Sequence, residues 1–185
     1  MDTGIDSGRI LLQKKYTINK FPISKVMKIL EETAYSGMYK LCKILQNDPK
    51  YKGKQNNKRI DNFWRKRNIH DITLDPRMSG KVFINTVKSF SSPYSGSILL
   101  TSTSNSFIID NAKEIEECNR PLKWENREYG YIFKINEKEI ILKVSDTVLL
   151  LSYNNVGNQD IKHLKGYKIM PPSFYYEKLY KLNVG

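Results

Sequence analysis

Arg59, Asn62 and Arg65 stand three residues apart in a run almost free of acid, and these are side chains that read base edges. Arginine donates two parallel hydrogen bonds to guanine O6 and N7, and asparagine pairs in a similar two-point way with adenine N6 and N7. Just upstream, Lys50, Lys52 and Lys54 alternate along KYKGKQ, a loop with Gly53 at its centre. Ammonium groups on a loop suit phosphate oxygens, contacts that add affinity and carry no sequence information. Lys58, Lys66 and Arg67 complete the set. Residues 50–67 hold eight basic side chains against one acid, Asp61. The chemistry indicated is capture of a polyanion, with base reading superimposed on it.

A helix is needed to position such an array. From Asn56 or Asn57, either a suitable N-cap, Ile60, Phe63 and Trp64 recur at i, i+3 and i+4. That stripe would anchor the helix and leave Arg59, Asn62, Arg65 and Lys66 facing outward, with the helix ending near Asn68. A solvated helix without a partner would mix both signs of charge for i,i+4 pairing. This one does not.

Across the 185 residues the formal net charge is +12, which attracts nucleic acid, anionic membrane or acidic proteins and is silent on fold. Residues 1–92 carry 19 Lys and Arg against 8 acids, whereas residues 93–185 carry 12 against 11. The asymmetry points to a basic face rather than to general solubility. Two cysteines (Cys42, Cys118) and two histidines (His70, His163), all far apart, give no zinc spacing and no metal site. A single cysteine pair in a chain of this size suggests buried free thiols in a reducing compartment. The start MDTGIDSGR has no apolar signal region, and TVLLLSY is too short to span a bilayer. The expectation is an intracellular protein, cytoplasmic or nuclear, without a cofactor.

Residues 1–8 read as a flexible tail and RILLQKKY (9–16) as a short strand. Pro22 and Ser24 suit the mouth of a helix carrying Val26, Ile29 and Leu30; Met38, Leu41, Cys42 and Leu45 suit a second. The expected break between them is a turn at Ser36–Gly37, and Asp48–Pro49 stops the pair. KVFINTVKSF (81–90) alternates as a strand would. SILLTS and SFIID read as a hairpin about residues 103–105, and AKEIEEC as a short acidic helix. YGYIFKINEKEIILKVSDTVLLLSYNN reads as a three-stranded meander turning near Asn136–Glu137 and Ser145–Asp146. One more strand, GYKIM, precedes a closing helix over 173–182 capped by Ser173.

This order predicts an α+β fold: an N-terminal three-helix, winged-helix-like basic region (9–92), then a β-rich antiparallel half (93–185) and a C-terminal helix. In a winged helix the third helix enters the major groove while the wing, here KVFINTVKSF, touches phosphate. SGMYKLCK (36–43) and KRIDNFWRKR (58–67) also resemble the core of KilA-N domains, DNA-binding modules of large DNA viruses and phages. Gly37–Met38–Tyr39 stands where that family has its Asn-Ala-Thr start, and a helix stands where its strands should precede, so the assignment is not adopted.

Enzymatic constellations are missing from the pattern. Asp75–Pro76 and the Glu137–Lys138–Glu139 run do not give nuclease spacing, and there is no nucleophile elbow or glycine-rich phosphate loop. His70 beside Asp71 reads as a surface turn. Tyr94, Tyr129, Tyr131, Phe133 and Tyr153 would form a stacking platform only if they shared one face. The sequence therefore indicates a non-enzymatic nucleic-acid-binding protein, with DNA favoured over RNA and homo-oligomerisation through the β half. The alternative is an assembly protein of viral matrix or nucleocapsid type, using the basic face on RNA or anionic membrane. On the first reading, Arg59→Ala should change sequence preference in a binding-site selection. Lys52→Ala should instead weaken every sequence alike.

Overall fold

The computed structural model describes residues 8–18, 21–56, 65–102, 106–154 and 164–176. The fold is mixed α+β, with an antiparallel five-stranded sheet. The chain divides into two compact units, Met1–Lys66 and Arg67–Gly185.

The first unit is built on α1 (Ile23–Asn47), which begins at Pro22 and ends on Asp48, whose N–H donates to Ile44 O at 2.8 Å. The break expected at Ser36–Gly37 does not occur, and the helix runs through. A Cβ on Gly37 would lie 3.3 Å from Leu12 Cδ2. The N-terminal segment thus packs close against the helix at this glycine, which costs about 1 kcal/mol in a helix interior. Val26 is buried, and Ile29, Thr33, Gly37, Leu41 and Ile44 continue the same stripe half-buried. The adjoining stripe of Met27, Leu30, Met38 and Leu45 is exposed. RILLQKKY does not form the expected strand; among the described residues it pairs through a single antiparallel bridge between Ile10 and Lys54.

The second unit opens with one turn of helix, α2 (Ile69–Ile72), then α3 (Gly80–Phe90). KVFINTVKSF is therefore a helix, not the expected wing, and the winged-helix arrangement loses its β element. Ser79 caps α3, accepting from Val82 N, and Asp146 Oδ1 accepts from Gly80 N at 2.7 Å. Phe83 and Val87 are fully buried and Ile84 half-buried, a helical spacing that the alternation of β-branched residues concealed.

The sheet follows in the order β1-β2-β5-β4-β3, all neighbours antiparallel. The expected hairpin is β1 (Ser97–Leu100) with β2 (Ser106–Glu114); residues 103–105 lie outside the described segments. The expected meander is β3 (Ile132–Ile135), β4 (Glu139–Lys143) and β5 (Val148–Asn154), with turns where the sequence places them. β2 is longer than anticipated because Ala112–Glu114 join it, and AKEIEEC keeps only a 3-10 turn, Glu117–Asn119. A bulge at Asp110 makes this possible. Phe107 and Ile109 face the core before it and Ala112 after it, so the extra residue resets the alternation. GYKIM supplies a single bridge, Lys168 to Tyr131, rather than a strand. The closing helix is described over 172–176, so Ser173 sits inside its first turn and not at its cap.

One sheet face, with Leu99, Ile109, Leu142, Leu149 and Leu151, joins Phe83 and Val87 in one core cluster. Phe83→Ala should cost about 3–5 kcal/mol, whereas Leu122→Ala, at a side chain 90% exposed, should be near neutral. Urea unfolding followed by circular dichroism measures both.

Candidate nucleic-acid interface

The basic loop begins where α1 stops. Asp48 Oδ1 accepts from Lys50 N at 3.1 Å and Asp48 O from Tyr51 N at 3.0 Å. The chain then turns against the N-terminal segment. Ile10 and Lys54 exchange both backbone hydrogen bonds at 3.0 Å, Tyr51 Oη donates to Leu11 O at 3.2 Å, and Arg9 donates to Gln55 Oε1 at 3.2 Å. Gly53 makes the approach possible. Its φ of +63° is left-handed, and a Cβ there would lie 2.5 Å from Ile10 O. The loop that reads as flexible in sequence is tied at three points.

Lys50, Lys52 and Lys54 are exposed, and among the described residues no carboxylate pairs with any of them. Residues 8–18 and 21–56 hold ten Lys and Arg against three acids. Several of the other cations lie over rings: Lys25 over Phe21 at 4.1 Å, Lys43 over Tyr39 at 4.6 Å and Lys14 over Tyr16 at 4.9 Å. Hydrogen bonds from Lys14 and from Thr33 hold the Tyr16 phenol below its usual pKa. Each pair lies two or four residues apart, a local spacing that the sequence reading did not use.

Downstream, Lys58, Arg59 and Asn62 lie outside the described residues, as do the expected anchors Ile60, Phe63 and Trp64. Arg65, Lys66 and Arg67 are exposed and not helical. Asn68 does not end a helix; it begins one. Its side chain accepts from His70 N at 3.0 Å while Asp71 Oδ2 accepts from Asn68 N at 2.8 Å, a capping box around α2. An N-cap residue followed three positions later by an acid is a readable signal, overridden here by the basic run before it. Arg65 donates to Lys66 O at 3.2 Å, and Arg67, in the second unit, stacks over Phe90 at 5.2 Å. The structure thus brings Lys50, Lys52 and Lys54 together on one loop and does not align Arg65, Lys66 and Arg67 with them on a helix.

Beside the loop lies a cavity of about 530 Å³. Ile10, Leu11, Leu12 and Gln13 line it from the N-terminal segment, and Tyr51, Lys54, Gln55 and Asn56 from the loop.

The second unit holds a different charged cluster. Lys143 is 5% exposed, and its Nζ donates to Val144 O at 2.8 Å and Ser145 O at 3.1 Å. Lys143 and Arg120 each lie 4.8 Å from the centre of the Trp124 ring. Arg120 pairs with Glu114 at 3.0 Å, and Thr147 donates to the same carboxylate at 2.7 Å. Burial pushes the Lys143 amine down, the Asp146 charge pulls it back up, and the Arg120 charge lowers it further.

The aromatic platform does not form as one face. Tyr153 is a core residue against Phe107, donating to Asn136 O at 2.6 Å, while Tyr94 is exposed. His70 meets the Tyr176 ring edge-on at 5.1 Å. Cys42 and Cys118 are free, as expected, but exposed rather than buried. No helix among the described residues is long and apolar enough to cross a membrane.

The chain matches no protein-family model and no curated protein. Its fold is similar to that of HypX from Aquifex aeolicus, in crystal structures of two variants. The TM-scores are 0.61 and 0.62 at 12% identity, covering 85% and 88% of this chain. The chain spans only 26% and 29% of those HypX chains. At this identity the likeness is one of fold alone.

The Lys143 shift fixes a sign. An unfolded chain regains the ordinary lysine pKa, so just below that value it binds more protons than the folded state, and stability rises with pH. Burial raises the phenols of Tyr153 and Tyr175 and works in the opposite direction from about pH 10 upward. The urea midpoint of wild type relative to Lys143→Met should therefore climb from neutral pH toward 10. A difference that stays flat would remove the buried-charge account.

Proposed function

We propose that this is a non-enzymatic nucleic-acid-binding protein that holds phosphate through its first unit, with DNA the polymer favoured. The observation that carries the reading is the loop of Lys50, Lys52 and Lys54, exposed, without a carboxylate partner among the described residues and tied to the N-terminal segment. A tied loop presents its charges with less ordering left to be lost on binding. Arg65 and Lys66 add charge in the same unit, and Arg59 and Asn62 are retained as base readers. The reading needs no winged helix, since phosphate contacts from a loop require none.

A second reading has its own support. The exposed stripe of Met27, Leu30, Met38 and Leu45 on α1, with Lys28 and Lys43 elsewhere on the same helix, is the composition of a surface that assembles or lies on anionic lipid.

Binding across a salt series separates these. Lys50, Lys52 and Lys54 changed together to alanine should weaken all duplexes alike and reduce the slope of log K against log salt by about 0.9 per lost phosphate contact. The same change at Lys113, Lys134 and Lys138, exposed residues of the second unit, should leave the slope as it was. Equal slopes for the two triple variants refute the loop as the phosphate site. Flotation of wild type with anionic vesicles, together with loss of duplex binding, would favour the second reading.

A further inference from the structure

We infer that the cavity beside the basic loop is a site for one unpaired nucleobase, so that the protein binds single strands in preference to duplex; this rests on the nucleic-acid reading above. Phosphate capture alone needs only exposed cations, and it gives no reason for a cavity lined partly by leucine, isoleucine and tyrosine at their side. The volume of about 530 Å³ falls within the range of small-ligand sites, roughly 300–1,000 Å³.

The lining matches a heteroaromatic ring tethered to a phosphate. Leu11 and Leu12 are 36% and 40% exposed, neighbouring leucines left open to solvent at one spot. The Tyr51 ring lines the same cavity, held by the bond from its hydroxyl to Leu11 O. A ring fixed in advance stacks a base with little ordering left to lose. Gln55, whose Oε1 already accepts from Arg9, has its amide N–H left to donate to a base edge, and Lys54, at the same lining, supplies a cation for the attached phosphate. An acyl chain or an aliphatic side chain would leave Lys54 and Gln55 facing it unmatched. Bases inside a duplex are already stacked and paired, and would first have to be flipped out.

The test uses the full chain and three labelled ligands of equal length at low salt: oligothymidine, an abasic strand, and a duplex. Wild type should bind oligothymidine about tenfold more tightly than the abasic strand, the size of one base–aromatic stack. Gln13→Trp places an indole in the cavity and leaves every lysine in place. It should abolish that difference while abasic binding is unchanged. Tyr51→Leu removes the ring and one tie of the loop; should the first variant fail to fold, it should likewise bring the ratio between oligothymidine and the abasic strand to one, whatever its effect on abasic binding itself. A wild-type ratio near one between the two strands overturns the base site and leaves phosphate capture standing. Absence of binding to all three ligands defeats both.

Discussion

Two backbone hydrogen bonds, one in each direction between Ile10 and Lys54, hold a loop that its own charges would push apart. Lys50, Lys52 and Lys54 repel one another, and no acid among the described residues neutralises them. Cross-strand pairing supplies the opposing constraint, and Gly53 allows it by admitting the Ile10 carbonyl where a side chain would collide. The direct tie between Arg9 and Gln55 and the bond from Tyr51 to Leu11 O follow from that pairing. So does the cavity, whose two sides are the two paired segments. The loop's lysines are thus held together chiefly by backbone pairing, with the Asp48 carboxylate at its base bonded to the Lys50 N–H rather than to an ammonium group.

The second unit shows the opposite economy. Three of its cations are paired with carboxylates: Arg77 with Asp75, Arg120 with Glu114, and Lys168 with Glu128. Lys143 is buried only because two carbonyls and the face of Trp124 take the place of water around its amine. The likeness of fold to part of HypX therefore coexists with two distinct electrostatic regimes along one chain. Nothing in a shared fold requires them, since sites are grafted onto folds by side chains.

What the sequence disclosed and what it concealed divide along physical lines. The hairpin and the meander were legible because alternation and turn residues are local signals, and sheet register follows from them. α3 was not, because Val82, Ile84, Thr86 and Val87 mimic a strand until the sheet beneath selects Phe83, Ile84 and Val87 as one buried face. α1 read as two helices because Gly37 breaks isolated helices. Here the neighbouring Leu12 makes a small residue useful at that turn. AKEIEEC read as an acidic helix because the bulge at Asp110, which keeps β2 in register, leaves no mark in composition. At the candidate interface, the cluster of Lys50, Lys52 and Lys54 on one loop was visible in the spacing. The strap that organises them was not, since it joins residues more than forty positions apart.

The two cysteines sit one in each unit, Cys42 on α1 and Cys118 beyond β2, and both are exposed. In air such thiols oxidise chain to chain, so covalent dimers held by a bond unrelated to any native association would accumulate in a preparation kept without reductant. The same placement is an opportunity. A donor and an acceptor dye attached through these native thiols would report the distance between the two units directly, with no residue added or removed.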